Sequence, residues 1–382
     1  MQGRTTRLLL GALVVLLAGC GGEKKPAAAP ANPWTRGDVS FGVLAPLHDA
    51  RGKDLADGAT LAAEDLNIRG GVLGKRVKLR TLDDGCNAAA GRASAERLAS
   101  QPLGGVLGGI CASAAGAAAR TLDLPFLVTS ANSPRIVSAK RTPTAYLTNG
   151  TPYQAALAAV HFLVFQRSRT LATVSASDKA SKTLAGQVLG LASPAPKAVS
   201  EQTLDPASAD YAQIARTALA AKPDTVYFAG PAEASGKLAA ALHDAGFDGD
   251  FVASADSESQ AFIAAAGEAA QGAFVIAPAS PQILPEAKAW TQRFTKRFKR
   301  PPGRDAMLAY DALRALAQAV TQTGKVDPKL NSAQLPKLVG AYGGFLGGLQ
   351  FAADHTVLYD DNVALKVSGG SFALANALRS GG

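Results

Sequence analysis

The chain is poor in the residues that many folds and most catalytic chemistries depend on. Its 382 residues include three cysteines, four histidines, two tryptophans and two methionines, and aromatics make up only 6%. His48, His161, His243 and His355 stand singly and no Cys-x-x-Cys pair occurs, so a metal site has no ligand set. Neither a Gly-x-Ser-x-Gly elbow nor a His-Glu-x-x-His helix is present, which removes common hydrolase signatures. Residues 70–75 brush against a phosphate-binding loop, but Arg69 stands where the loop would open and Arg76 follows Lys75 in place of Ser or Thr. No catalytic residue, metal or cofactor is expected, and an enzyme is set aside. Dense charge is lacking too: 39 basic and 30 acidic residues leave a formal +9. A basic surface can attract nucleic acid, but only Lys296, Arg297, Lys299 and Arg300 cluster. They close a helical pattern before Pro301-Pro302, where a solvated helix end is expected.

Long apolar runs are missing except near the start. Residues 8–17 form a short apolar stretch behind Arg4 and Arg7. A permanent membrane helix needs about 20 apolar residues, so this stretch fits the hydrophobic region of an export signal. Leu17-Ala18-Gly19-Cys20 resembles a lipobox, which implies a signal peptide over 1–19, cleavage before Cys20 and a diacylglycerol on its thiol. Acyl chains contribute about 0.8 kcal/mol per buried CH₂, so such a terminus holds a chain to a membrane. Residues 20–37, rich in Pro and Ala, read as a loose tether that cannot bury enough surface to order itself. Export argues against a nucleic-acid partner. With Cys20 committed to lipid, Cys86 and Cys111 are left in a compartment where disulfides persist, and they are expected to pair. Closing that loop should stabilise by about 3–4 kcal/mol.

About 345 residues follow the tether, too many for one core and suited to two domains. A composition of 47% hydrophobic and 18% charged residues is that of a globular protein. Strand patterns at 39–45, 77–82, 106–107 and 125–128 alternate with helical ones at 53–67, 88–99 and 113–120. The rhythm then repeats. Strands at 170–174, 198–203, 225–228, 251–253 and 273–276 are interleaved with helical stretches near 153–165, 183–191, 211–220, 233–245 and 259–266. Long helices at 285–299 and 305–323 precede shorter strands near 349–351 and 363–367. Such alternation implies parallel sheets with right-handed crossovers, hence two doubly wound α/β lobes. Ligands of such sheets bind beyond the carboxyl ends of the strands, so a cleft between the lobes is the expected site.

The residues then match a family. Gly42-Val43-Leu44-Ala45-Pro46-Leu47, Gly58, Leu61-Ala62-Ala63-Glu64-Asp65-Leu66-Asn67 and Gly70-Gly71-Val72-Leu73-Gly74-Lys75 together resemble the opening of type I periplasmic binding proteins, in the leucine/isoleucine/valine-binding branch. Asp83-Asp84-Gly85-Cys86 and Gly109-Ile110-Cys111 are similar to the segments carrying that branch's first-lobe disulfide, and Ala309-Tyr310-Asp311-Ala312-Leu313 to its late helix. The resemblance covers roughly residues 38–370. It implies two α/β lobes joined by crossing strands, which trap a small ligand, an amino acid or related compound, and deliver it to an ABC permease in the inner membrane. The boundaries it implies are 38–149 and 279–345 for the first lobe, and 150–278 and 346–382 for the second with its tail.

Carried over position by position, the ligand carboxylate would meet Ala112-Ser113 and Ala131-Asn132-Ser133 in the first lobe. Ala112 replaces a hydroxyl of the family. Aromatics expected after the sixth and eighth strands are replaced by Ser181-Lys182 and Pro231, and Asp256 falls one position from the family's acidic partner for an ammonium. His48 and Arg51 in the first loop could face a carboxylate, Arg51 as a bidentate fork. Each has a blander role: Ser113 as a helix N-cap, Asn132-Ser133-Pro134 as a turn, Asp256 as a cap for the next helix, and Tyr310 as packing at a lobe surface. The missing aromatics motivate a second reading, a sensor or scaffold lipoprotein on the same fold.

Overall fold

A computed structural model describes residues 37–338, 344–345, 349–358 and 361–376. The signal peptide, Cys20 and nearly all of the tether lie outside the described residues.

The run Asp38–Ala45 (β1) is buried on both faces over most of its length and becomes an inner strand of a parallel sheet. Asp49 then caps Ala50–Ile68 (α1), its carboxylate accepting from the Arg51 N–H at 2.7 Å. Arg76–Asp83 (β2) follows, and Asn87 caps Ala88–Ala99 (α2). Leu103–Gly108 (β3), Ala112–Thr121 (α3), Phe126–Val128 (β4) and Ala145–Leu147 (β5) complete the first half. The strand order is β2-β1-β3-β4-β5, all parallel, with Val39 opposite Val77 and Val106 opposite Phe126. Cys86 and Cys111 form the expected disulfide, tying the turn after β2 to the start of α3 with their Cα atoms 5.2 Å apart.

The chain next builds Pro152–Phe165 (α4), Thr170–Ala176 (β6), Lys179–Ala192 (α5), Lys197–Leu204 (β7), Tyr211–Leu219 (α6), Thr225–Ala229 (β8), Ala232–Asp244 (α7), Asp250–Ser254 (β9), Gln260–Ala266 (α8) and Phe274–Pro278 (β10). Lys288–Phe298 (α9), Arg304–Thr323 (α10) and Pro328–Gln334 (α11) precede Asn362–Ser368 (β11) and Ser371–Asn376 (β12). The second sheet runs β12-β11-β10-β9-β8-β6-β7, parallel from β7 through β10, with β11 antiparallel to both its neighbours. The two sheets with helices interleaved are the two-lobe α/β architecture expected from the alternation.

Lobe membership does not follow chain order, because α10 returns to pack along α1 while β11 adds to the second sheet. The α1–α10 contact is tight enough that a Cβ on Gly58 would lie 2.0 Å from the Ala306 carbonyl oxygen. This seam also corrects two expectations. Tyr310 is buried within it and donates to Asp65 at 2.6 Å, with Arg293 on the other oxygen of that carboxylate at 2.6 Å. The basic cluster does close α9, with Lys296, Arg297 and Lys299 exposed, but two of its guanidiniums also pair: Arg297 binds Glu64, and Arg300 binds Asp54 at 2.6 Å and Asp57 at 2.7 Å. The acids lie along α1, and pairing with arginine is what permits Asp54 and Asp65 to be buried.

The strand expected at 349–351 is a single bridge from Phe351 to Val357. The three-residue β5 and the edge strand β12 were not expected, being too short or too mixed in pattern to signal themselves.

Candidate functional site

A cavity of about 520 Å³ opens at the carboxyl ends of β8, β9 and β10, beside the start of α5. In parallel sheets this is where strand-end residues and helix N-termini converge. Here Gly230 follows β8, Ser254 to Asp256 end and follow β9, and Lys179 to Ser181 begin α5. From the first half of the chain come Asn132, in the loop after β4, and Asn149 to Thr151, where the backbone passes from one sheet to the other.

One guanidinium orders these passages. Arg304, the first residue of α10, forks onto Asp361 at 2.8 and 2.9 Å, and donates to Asn149 Oδ1 at 2.8 Å and the Ala279 carbonyl at 3.3 Å. Asn149 in turn donates to the Ser130 carbonyl at 2.6 Å. The segment after β5, the segment after β10 and the segment before β11 are therefore all held by one side chain. Below them Gln154 accepts from the Thr151 N–H and hydroxyl, both at 2.6 Å, and donates to the Val357 carbonyl.

Of the residues singled out in sequence, Asn132, Ser181 and Asp256 line the cavity. Ala131 is buried beside Asn132, its N–H on the Gly109 carbonyl, and Ser133 leads the turn that follows. Ala112 and Ser113 lie in the exposed first turn of α3, outside the lining, where the Ser113 hydroxyl donates to the Cys86 carbonyl at 3.3 Å. The N-cap expected of Ser113 is held by Cys111, and the helix after Asp256 is capped by Ser259. Pro231 caps α7 next to the lining Gly230, and Lys182 is not part of the wall made by Lys179, Ala180, Ser181 and Thr183. His48 is exposed, 3.9 Å from Asp83. Arg51 does form a bidentate fork, but its partner is Asp305, at 2.7 and 3.1 Å.

Sequence reasoning missed Tyr227, Lys179, Asn149 and Ser254, all in the lining. Asn149-Gly150 carries a turn signal and Ser254 stands at a strand end, so both had a cue. Tyr227 had none, because the middle of an apolar strand reads as core.

Burial sets the electrostatics of this region. The Asp256 carboxyl is held above its ordinary range first by removal from bulk water and then by Asp178. Burial also pushes the Tyr227 phenol well above its ordinary value, with the charge of Asp256 adding to it. Glu258, just beyond Asp256, is pushed up to about 7 by burial, against the opposing pull of Arg304. The arrangement offers apolar walls, hydroxyl, amide and ammonium donors and an acid: a place to hold a small solute.

Comparison with known proteins agrees with this geometry. Residues 39–370 match the profile of a family described as periplasmic binding protein. An amino acid binding protein of Pseudomonas aeruginosa is 24% identical over 306 residues, covering 76% of this chain and 80% of the relative. A Rhodospirillum rubrum structure, provisionally assigned to branched-chain amino acid ABC transport, superposes with a TM-score of 0.78 at 20% identity, over 88% of this chain and 99% of that one. A substrate-binding protein of an ABC transporter from Desulfitobacterium hafniense, in complex with Leu, gives a TM-score of 0.68 at 20% identity over the same shares.

Proposed function

The chain belongs to the periplasmic binding protein family, and from that premise we propose that it is an extracytoplasmic solute-binding protein of an ABC importer. In this reading it encloses a small ligand, an amino acid or related compound, between its lobes, hands it to a permease in the inner membrane and catalyses nothing. The observation that carries the reading is the cavity at the strand ends, which draws Asn132 and Asn149 from one side and Lys179, Ser254 and Asp256 from the other. Hinged closure around a ligand needs only a few residues at the passages between lobes, and Arg304 with Asn149 and Asp361 supplies an ordered set of them. Of the residues inferred from sequence, Asn132 and Asp256 are the ones we retain as ligand contacts. Asp256 suits an ammonium group, because a cation beside it would offset the burial that holds its carboxyl above the ordinary range.

The test is a thermal-shift screen of the form beginning after Cys20, against amino acids, amides, small organic acids and nucleosides. A ligand at a hundred times its dissociation constant adds about 2.7 kcal/mol of stability, an easily seen rise in melting temperature. A rise with leucine, isoleucine or valine supports the amino-acid ligand. A rise with another class keeps the trap and changes its cargo, and no rise with any solute favours a sensor or scaffold instead. Attachment through lipid on Cys20 is part of the same proposal. A Cys20→Ala chain should move from the membrane to the soluble fraction, and its retention in the membrane fraction would refute the anchor.

A further inference from the structure

The cavity contains a polar group that the reading above does not use. Tyr227, the middle residue of β8, is 1% exposed, and its ring packs with Ala229, Val252, Phe274 and Ile276. It also lines the cavity, yet among the described residues its hydroxyl has no hydrogen-bond partner. The hydroxyl is not one of the sealed, unpartnered atoms of the core; it opens on the cavity, where an oxygen acceptor can reach it. Ser254, also in the lining, has its Oγ engaged with the backbone, accepting from the Gly230 N–H at 3.3 Å.

The space in front of this phenol follows from what stands around it. Ala155, Ala180, Gly230 and Ala255 are small, and Leu184 and Ile276 add apolar wall. A cavity of about 520 Å³ falls within the ~300–1,000 Å³ that enclose drug-sized ligands. A branched aliphatic side chain would leave the hydroxyl without a partner. Burial, with the charge of Asp256 adding to it, keeps the proton on the phenol, which acts as a donor rather than as an anion.

We propose that this end of the cavity is a specificity subsite for an apolar group tipped by an oxygen acceptor, with Tyr227 as the hydrogen-bond donor. The inference rests on the solute-binding reading and narrows its ligand class: an oxygen-tipped side chain or ring should be preferred over the bare hydrocarbon of the same shape.

The experiment titrates matched pairs into the form beginning after Cys20 and into its Tyr227→Phe variant. The pairs are L-tyrosine with L-phenylalanine, 4-hydroxybenzoate with benzoate, and L-glutamine with L-norleucine. In the unsubstituted protein the oxygen-bearing member of a binding pair should be tighter by roughly tenfold, the scale of one desolvated hydrogen bond. Tyr227→Phe should abolish that preference while leaving the bare member within about twofold. Equal affinities within every binding pair, or a preference that survives Tyr227→Phe, overturn the subsite and leave the solute-binding reading standing. Binding of no pair, together with a silent screen, overturns both. Without ligand, Tyr227→Phe should melt at the same temperature or higher, because it removes an unpartnered group. A clear fall would mean that the hydroxyl has an internal partner, and would overturn the proposal by itself.

Discussion

Replacing Arg304 by Met tests whether one side chain holds the three passages between the sheets. Methionine keeps much of the apolar stem and removes the guanidinium, so the loss is electrostatic rather than one of packing. What it leaves behind is Asp361, 6% exposed, stripped of both its Arg304 hydrogen bonds. Removing one partner of a buried ion pair costs about 3–5 kcal/mol, because the survivor is an uncompensated charge. Arg304 itself is 21% exposed, which lets water reach part of the site and lowers the expectation to about 2–4 kcal/mol. The lost donors to Asn149 and Ala279 are included in that figure. Asp361→Asn in the same background removes the stranded charge, so the double variant should be more stable than the sum of the two single losses implies, by about 1–2 kcal/mol. Urea unfolding of the four proteins, followed by circular dichroism, gives the cycle, and hydrogen exchange locates the effect. Amides at 148–151 and 279–280 should exchange faster, and those of β1 and β3 should not. A loss under about 1 kcal/mol, or two single losses that simply add, would refute the reasoning.

Three further outcomes follow from the packing and the charges. Gly58→Ala places a Cβ 2.0 Å from the Ala306 carbonyl oxygen, so α1 and α10 must separate at a cost of about 3 kcal/mol; a thermal melt indistinguishable from the parent would contradict that seam. Reducing or deleting the Cys86–Cys111 bridge frees a loop of sequence separation 25, and denaturant midpoints should report a loss of about 3 kcal/mol. Glu258, pushed up to about 7 in the folded chain, is matched by an unfolded value near ~4.3. The unfolded chain therefore releases this proton first, and the group's contribution is fully present below pH ~4.5 and lost as pH rises to about 7. Glu258→Gln should raise the melting temperature at pH 8 and leave it nearly unchanged at pH 4, and a pH-independent effect would count against the assignment.

Much of the architecture was legible because it is local. The apolar runs of β1, β3 and β8 are properties of a few adjacent residues, whereas the Asp49 and Asn87 caps emerged only in the structure. The site was less so. Arg51 was read as a fork aimed at a ligand carboxylate, and it is a fork, but its carboxylate belongs to Asp305, 254 residues away. The cluster Lys296 to Arg300 was read as solvated, and Arg297 and Arg300 meet acids more than 200 residues earlier. For Arg51 the side chain's chemistry was anticipated and its partner was not; for Arg297 and Arg300 the pairing itself went unread.

Sequence alone determined the alternation of strand and helix and the two-lobe α/β class, since these follow from periodicity and turn chemistry along short stretches. The cysteine pair followed from cysteine count and compartment, and the family likeness from matched motifs. Tertiary structure alone decided that α10 lies against α1, that three passages converge on Arg304, and that Tyr227 faces a cavity with an unpartnered hydroxyl. These depend on contacts between residues far apart in the chain. Such contacts are selected by the packing of whole sheets and helices, which no local pattern encodes.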